Sequence, residues 1–286
     1  LRWCALCRPW WFSRVTCATP LLRWSVPSTR LDDFADLIEP FSRRGVDLGL
    51  TRLQAALAQL GHPERCFAAV QVAGTNGKGS ISTLVHQALL AAGINAGLYT
   101  SPHLLSWTER VRIGADAIAA PDLRRHLEAV SPIAKAHALT PFELVTAAAF
   151  VAFAEADVPL VVLEVGLGGR LDATSCHPDR SVIALASIGL DHREFLGPDL
   201  ASIAAEKAGV LHPGCVAISG PQHPEVQVVL DAQANARGAE LRWVDPLSQN
   251  DAGALLLDGQ WTRIGLPGSV QAVNAAVARA VCPALA

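Results

Sequence analysis

The sequence predicts an α/β fold with a mostly parallel sheet flanked by helices. Largely apolar runs at residues 67–73, 159–165 and 181–188 read as buried strands. Segments with apolar residues at helical spacing alternate with them, and polar or charged residues collect just past their ends. Alternating strands and helices build a parallel sheet, and ligands of such sheets bind along the rim outside the carboxyl ends of the strands.

In chain order, residues 31–38 and 50–60 predict two short lead-in helices. The strand at 67–73 feeds a glycine-rich turn, after which residues 80–92 predict a helix that stops at Gly93. Residues 94–99 predict a second strand, ending at Thr100-Ser101-Pro102-His103, where Pro102 disfavours helix in the residue before it. Residues 121–137 and 141–156 predict helices, the second with Thr140 as N-cap, Pro141 at its first position and Glu143 in its first turn. The run 159–165 carries a single carboxylate, Glu164, and leads into Gly166-Leu167-Gly168-Gly169. The run 181–188 ends at Gly189-Leu190-Asp191-His192, and residues 200–209 predict a helix bearing Glu206 and Lys207.

Composition narrows the class. A chain of 286 residues with 51% hydrophobic and 17% charged residues can build a substantial core and reads as soluble and cytoplasmic. No segment reaches the roughly 18 uninterrupted apolar residues of a membrane span. A net charge of -3 supplies no basic field for nucleic acid or an anionic membrane. Only three of the 23 basic residues are Lys, at positions 78, 135 and 207, so those positions carry more information than the Arg residues. Cys4-x-x-Cys7 lacks the second pair a zinc site requires. Residues 1–30 hold four of seven Trp and no acidic residue, and stand apart as an N-terminal extension. A chain without Met that starts at Leu1 does not have an ordinary start. Nothing in the sequence sets the oligomeric state.

The chemistry gathers at the rim. Phosphate is held by inward-turned backbone N–H groups at a helix N-terminus, with a Lys for the outer phosphates and a hydroxyl for magnesium. Gly74-Thr75-Asn76-Gly77-Lys78-Gly79-Ser80 offers each part, as a variant P-loop with Val72 in the first glycine slot and Gly79 inserted before Ser80. This predicts binding of ATP with magnesium. A lone carboxylate on an apolar strand is costly to bury unless paired or metal-bound, so Glu164 reads as a magnesium ligand or, alternatively, a helix cap. His192 reads as readily structural as ligating. By pattern alone Lys207 reads as a member of a solvated helix face beside Glu206.

These segments, with Tyr99-Thr100-Ser101-Pro102-His103-Leu104, Trp107-Thr108-Glu109-Arg110-Val111, Phe142-Glu143, Leu163 to Thr174, Asp191-His192, and Glu206-Lys207-Ala208-Gly209, occur in one order. From about Asp47 onward the chain resembles the folylpolyglutamate synthase and dihydrofolate synthase family, relatives of the Mur cell-wall ligases. The resemblance implies a fold like the Mur ligase central domain and an ATP-dependent ligase. Such a ligase activates a carboxylate of dihydropteroate or a folate as an acyl phosphate, which the amine of L-glutamate attacks. It further implies that residues 74–80 hold phosphates, that Ser80, Glu164 and His192 bind magnesium, and that Lys78, His192 and Lys207 serve catalysis. Lys207 matches the lysine that the family carbamylates. Ser101, Pro102, His103, Arg110, Phe142 and Glu143 match the substrate side, and Asn274 resembles a residue near the adenine.

The expected organisation is an extension at 1–30, an ATP-binding ligase domain at 31–265, and at 266–286 a connection to a C-terminal domain that the chain does not reach. Two other readings stay open: a Mur-type cell-wall peptide ligase, and a chain that binds ATP without turnover. The Gly-Lys-Gly-Ser form of the loop and the Ser-Pro-His segment favour folate. Dihydrofolate synthesis and polyglutamate extension are not separable, and an enzyme doing both is the default expectation.

Overall fold

The computed structural model describes residues 34–285, so the expectations for residues 1–30, Cys4-x-x-Cys7 included, lie outside the described residues. The α-helices are α1 (Ala35–Ile38), α2 (Thr51–Gln59), α3 (Lys78–Ala91), α4 (Ala120–Ala136), α5 (Pro141–Glu155), α6 (Arg193–Leu196), α7 (Leu200–Ala208), α8 (Pro224–Arg237) and α9 (Gln271–Ala284). The strands are β1 (Ala68–Ala73), β2 (Gly97–Tyr99), β3 (Val111–Ile113), β4 (Asp116–Ala117), β5 (Leu160–Glu164), β6 (Val182–Leu185), β7 (Val216–Ser219), β8 (Glu240–Trp243), β9 (Leu255–Leu257) and β10 (Gln260–Thr262).

Eight strands form one sheet in the order β4-β3-β2-β5-β1-β6-β7-β8. The six from β2 to β8 run parallel, while β3 and β4 add an antiparallel edge. The apolar runs thus occupy the centre, where both faces are covered. On one face Val70, Val72, Val162 and Ala184 pack against Ile81 and Val85 of α3 and Val277 and Val281 of α9. On the other, Ala69, Val161 and Leu163 meet helices α2, α4 and α5, and Ile183, Leu185 and Ala217 meet α7 and α8. Helix α5 is apolar nearly all round, which suits its place between the sheet and α4.

Between those two clusters Gln71 is fully buried on β1. Its amide donates to Thr174 Oγ1 at 2.8 Å and Ser175 Oγ at 3.0 Å, and its oxygen accepts from Arg180 Nη1. A buried amide is tolerable only with its bonds made, so this polar spine fixes how the loops after β5 enter the core.

Two boundaries shift. The strand expected at 94–99 is shortened to Gly97–Tyr99, and the helix expected from Ser80 begins at Lys78. The segment 266–286, expected as a connection, instead contains α9, whose Val277, Ala278 and Val281 are buried in the core beside α3. The β9–β10 hairpin turns through Asp258 and Gly259, both at positive φ, the signature of a tight two-residue turn. Among the described residues no helix is long and apolar enough to cross a membrane.

Candidate active site

The glycine loop read as a phosphate loop leaves β1 at Ala73 and enters α3 at Lys78. Its shape requires glycine. Gly74 has φ +138°, and a Cβ there would fall 2.7 Å from Ala186 Cβ and 2.8 Å from the Ala186 carbonyl oxygen. Gly77, at φ +96°, would place a Cβ 2.5 Å from Asn274 Oδ1. The segment after β6 holds the loop from behind. Thr75 and Asn76 donate their N–H groups to Ser187 O at 2.8 and 3.1 Å, and the Thr75 hydroxyl exchanges hydrogen bonds with the backbone of Gly189. Lys78 Nζ folds back onto Thr75 O at 3.1 Å. Ser80 lies in the first turn of α3, where helix N–H groups have no intrahelical partner and favour anions.

Two charged side chains are buried at opposite ends of this loop. Glu164 pairs with Val72 in strand register, which carries its carboxylate to the rim. Both its oxygens lie 3.8 Å from where a Cβ on Gly79 would be, and Oε2 accepts from Ser101 N–H at 3.3 Å. Burial pushes the Glu164 carboxyl up to about 7, against the pull of the Lys78 ammonium. Lys207, from α7, is only 3% exposed and donates from Nζ to Gly74 O at 2.8 Å. Burial, reinforced by Lys78, lowers its pKa to about 8. The solvated-face reading of Lys207 is therefore corrected: α7 turns this side chain toward Gly74, and the loop after β5 packs onto the end of the helix, where a Cβ on Gly169 would meet the Lys207 carbonyl oxygen at 2.8 Å. The helix-cap alternative for Glu164 has no support in these contacts.

A second rim segment follows β2. Glu109 accepts from the N–H groups of Leu104, Leu105 and Ser106 at 2.8–2.9 Å, closing a capping box with Ser106. Arg110 Nε donates to His103 Nδ1 at 2.9 Å, and its guanidinium lies 4.3 Å above the Trp107 ring. Burial, with Arg110 adding to it, lowers the His103 pKa, which suits an imidazole acting as acceptor. Ser101 keeps its hydroxyl buried with no hydrogen-bond partner among the described residues, and Pro102 follows it through a cis bond.

The remaining expected residues are placed unevenly. Phe142 packs against Gly166, where a Cβ would come 2.5 Å from its Cζ, and lies 6.1 Å from the Tyr99 ring. Glu143 is 4% exposed and serves the fold: it accepts from Thr140 N–H at 2.7 Å as a helix cap and faces Arg52 Nη2 at 3.3 Å. Asn274 lies against Gly77, held by Gln271 at 3.0 Å. His192 is half-exposed at φ +48°, with Nε2 3.5 Å from Asp191 Oδ2.

Magnesium prefers hard oxygen ligands, and the Glu164 carboxylate with the Ser80 hydroxyl offers such a pair at the phosphate loop. The burial of Glu164 with no counter-ion in hydrogen-bond contact among the described residues fits a cation there. Among the described residues no three His, Cys, Asp or Glu side chains gather as a metal cluster, and His192 makes its closest charged contact with Asp191.

The sequence reading assigned no role to Asp172. It is 2% exposed and accepts from the N–H groups of Gly166, Leu167 and Thr174 at 2.9–3.0 Å and from the Thr174 hydroxyl at 2.6 Å. It sets the course of the glycine loop that follows Glu164. An Asp two residues before a Thr at the end of a glycine run is a turn signal that could have revealed it.

A dihydrofolate synthase/folylpolyglutamate synthase of Escherichia coli K12 is 38% identical over 228 residues, covering 79% of this chain and 50% of that protein. A dihydrofolate synthetase of Saccharomyces cerevisiae is 35% identical, covering 82% of this chain and 56% of its own length. Among solved structures, E. coli FolC in complex with DHPP and ADP superposes with a TM-score of 0.77 at 33% identity, over 88% of this chain and 62% of that one. The chain belongs to the dihydrofolate synthase/folylpolyglutamate synthase family. The Mycobacterium tuberculosis folylpolyglutamate synthase complexed with ADP superposes with a TM-score of 0.76 at 34% identity, over 86% of this chain and 60% of that one. No protein-family model matches the chain. The chain spans about half the length of the curated relatives of this family that it matches.

The burial of Glu164 has a pH signature. Its folded pKa is raised, so its contribution to stability is full below the unfolded value near 4.5 and is lost as pH rises through about 7. Glu164→Gln removes this loss. Relative to the parent, the variant is expected to gain about 3 kcal/mol of unfolding free energy between pH 4 and pH 8. Denaturant titrations of both proteins across that range check it, and a gap that does not change with pH would contradict it.

Proposed function

We propose that the chain binds ATP with magnesium at residues 74–80 and acts as an amide-forming ligase that adds L-glutamate to dihydropteroate, folates, or both. The observation that carries this reading is the buried Glu164 facing the phosphate loop at Gly79, opposite Lys207 at Gly74. Its support from relatives is that one solved bifunctional folylpolyglutamate synthase/dihydrofolate synthase has Mn, AMPPNP and L-glutamate bound, and E. coli FolC has DHPP and ADP bound.

In this reading the N–H groups at the start of α3 and the Lys78 ammonium bind the phosphates. Ser80 and Glu164 would hold the magnesium ion, which when bound neutralises charge on the phosphate oxygens. The substrate carboxylate, a poor electrophile, takes the γ-phosphoryl group to become an acyl phosphate, releasing ADP. The neutral amine of L-glutamate then attacks the acyl carbon and expels phosphate, leaving an amide. The segment Ser101–Arg110, with His103 and Arg110 linked over Trp107, offers a cation, an aromatic face and a buried Ser101 hydroxyl on the substrate side.

Lys207 is proposed to carry a carbamate. Its depressed pKa supplies the neutral amine that attacks carbon dioxide, and the product keeps one N–H for Gly74 O. Carbon-13 NMR of the chain under labelled bicarbonate should show a carbamate resonance that disappears in Lys207→Arg, and its absence from the parent would refute the assignment.

Turnover is checked with the 286-residue chain, ATP, magnesium, a pteroate or folate, and L-glutamate. ADP release that requires both co-substrates, with amide product by mass spectrometry, is expected. Lys78→Ala should weaken nucleotide binding about 10- to 100-fold, the loss of charge-assisted phosphate contacts. Nucleotide binding without amide formation would limit the chain to binding alone.

A further inference from the structure

The segment Ala186 to Gly189, directly after β6, is stitched on two sides. Toward the phosphate loop, Ala186 N–H donates to Ala73 O at 2.8 Å, Ser187 O accepts from Thr75 and Asn76, and the Gly189 backbone meets the Thr75 hydroxyl. On the other side a single side chain makes the bonds. Gln222 donates from Nε2 to Ala186 O at 3.0 Å and accepts from Ile188 N–H with Oε1 at 2.9 Å.

Gln222 is itself held. Its amide also donates to Ser219 Oγ at 3.1 Å, and its backbone carbonyl accepts from Gln227 Nε2 at 3.2 Å. It therefore reaches from the end of β7 to the end of β6, two strands that pair in parallel from Val182↔Val216 to Leu185↔Ser219. Ala186 and Ile188 are 2% and 4% exposed, so water does not readily replace the amide.

The position of Ser187 O decides where the N–H groups of Thr75 and Asn76 point. Gly74, too, lies so close to the Ala186 peptide that a shift of that peptide would displace the loop. We propose that Gln222 is a positioning residue for phosphate binding: its hydrogen bonds go to Ala186, Ile188, Ser219 and Gln227 rather than to the loop, yet its two-sided amide fixes the segment on which the phosphate loop is built. Without it, the ordering of residues 186–189 and 74–76 is paid at the moment of binding. The proposal rests on reading residues 74–80 as a phosphate loop and adds a third strand to the elements that shape it.

The test is ADP affinity, measured calorimetrically in magnesium buffer for the parent chain, Gln222→Leu and Gln222→Glu between pH 5 and pH 8. Gln222→Leu should bind about tenfold more weakly at every pH, the effect of about one lost buried hydrogen bond. Gln222→Glu distinguishes the two-sided bond from simple packing. Protonated, the introduced carboxyl donates to Ala186 O and accepts from Ile188 N–H as the amide does; ionised, it faces Ala186 O with a lone pair. The parent-to-variant affinity ratio should therefore widen about tenfold from pH 5 to pH 8. Parent-like affinity in both variants, or a ratio that ignores pH, would overturn the role of Gln222 alone. Failure of the parent chain to bind ADP would overturn the phosphate-loop reading and this proposal with it.

Discussion

A carboxylate and a lysine ammonium are buried at the two ends of one glycine loop, and much of the surrounding architecture serves to keep them there. Burying either charge is costly, and the structure gives each only a partial remedy: one backbone N–H for Glu164 and one carbonyl for Lys207. The displaced pKa values, up toward 7 for the acid and down toward 8 for the base, are the record of that cost. Strongly shifted groups of this kind cluster at functional sites, and the proposed reading gives one end of the loop a cation and the other an uncharged amine. A rim of this kind has to be built from rigid parts, or the charges would find water instead.

The rigidity comes from close approaches that only glycine permits and from hydrogen-bonded polar side chains at the turns. Gly166 fits against Phe142, Gly169 against the end of α7, and Gly77 against Asn274, so three helices bear on the loops that carry the charges. Asp172 gathers the backbone after Glu164, and Gln71, through Thr174 and Arg180, ties that turn to the central strand. Gln222 does the same for the segment behind the phosphate loop. Asp172 and Gln222 bond directly to backbone and Gln71 to the side chains of the turn, and such directional bonds fix a loop more sharply than an apolar contact does.

The fold was legible because its central strands are apolar runs with no competing pattern, and the loop because Gly74, Gly77, Lys78 and Ser80 each have one physical reason to be where they are. Glu164 was legible as an anomaly, a charge on a buried strand. Lys207 was not: spacing along α7 places it beside Glu206, and only its burial and its bond to Gly74 O reveal that the lysine faces inward. Gln222 and Asp172 escaped for a related reason, since a polar residue in a turn looks alike whether it meets water or a distant backbone. Helix α9 was read as a connection because its small apolar residues are unremarkable until α3 and the sheet are set beside them.

The central claim is that burial, rather than pairing, sets the state of Glu164. The most direct measurement is its own titration: carbon-13 NMR of the chain alone, labelled at the glutamate carboxyl, with Glu164→Gln to assign the resonance. The account predicts a midpoint near pH 7. A midpoint at the ordinary value of about 4.3 would mean that the carboxylate is solvated, and would contradict it.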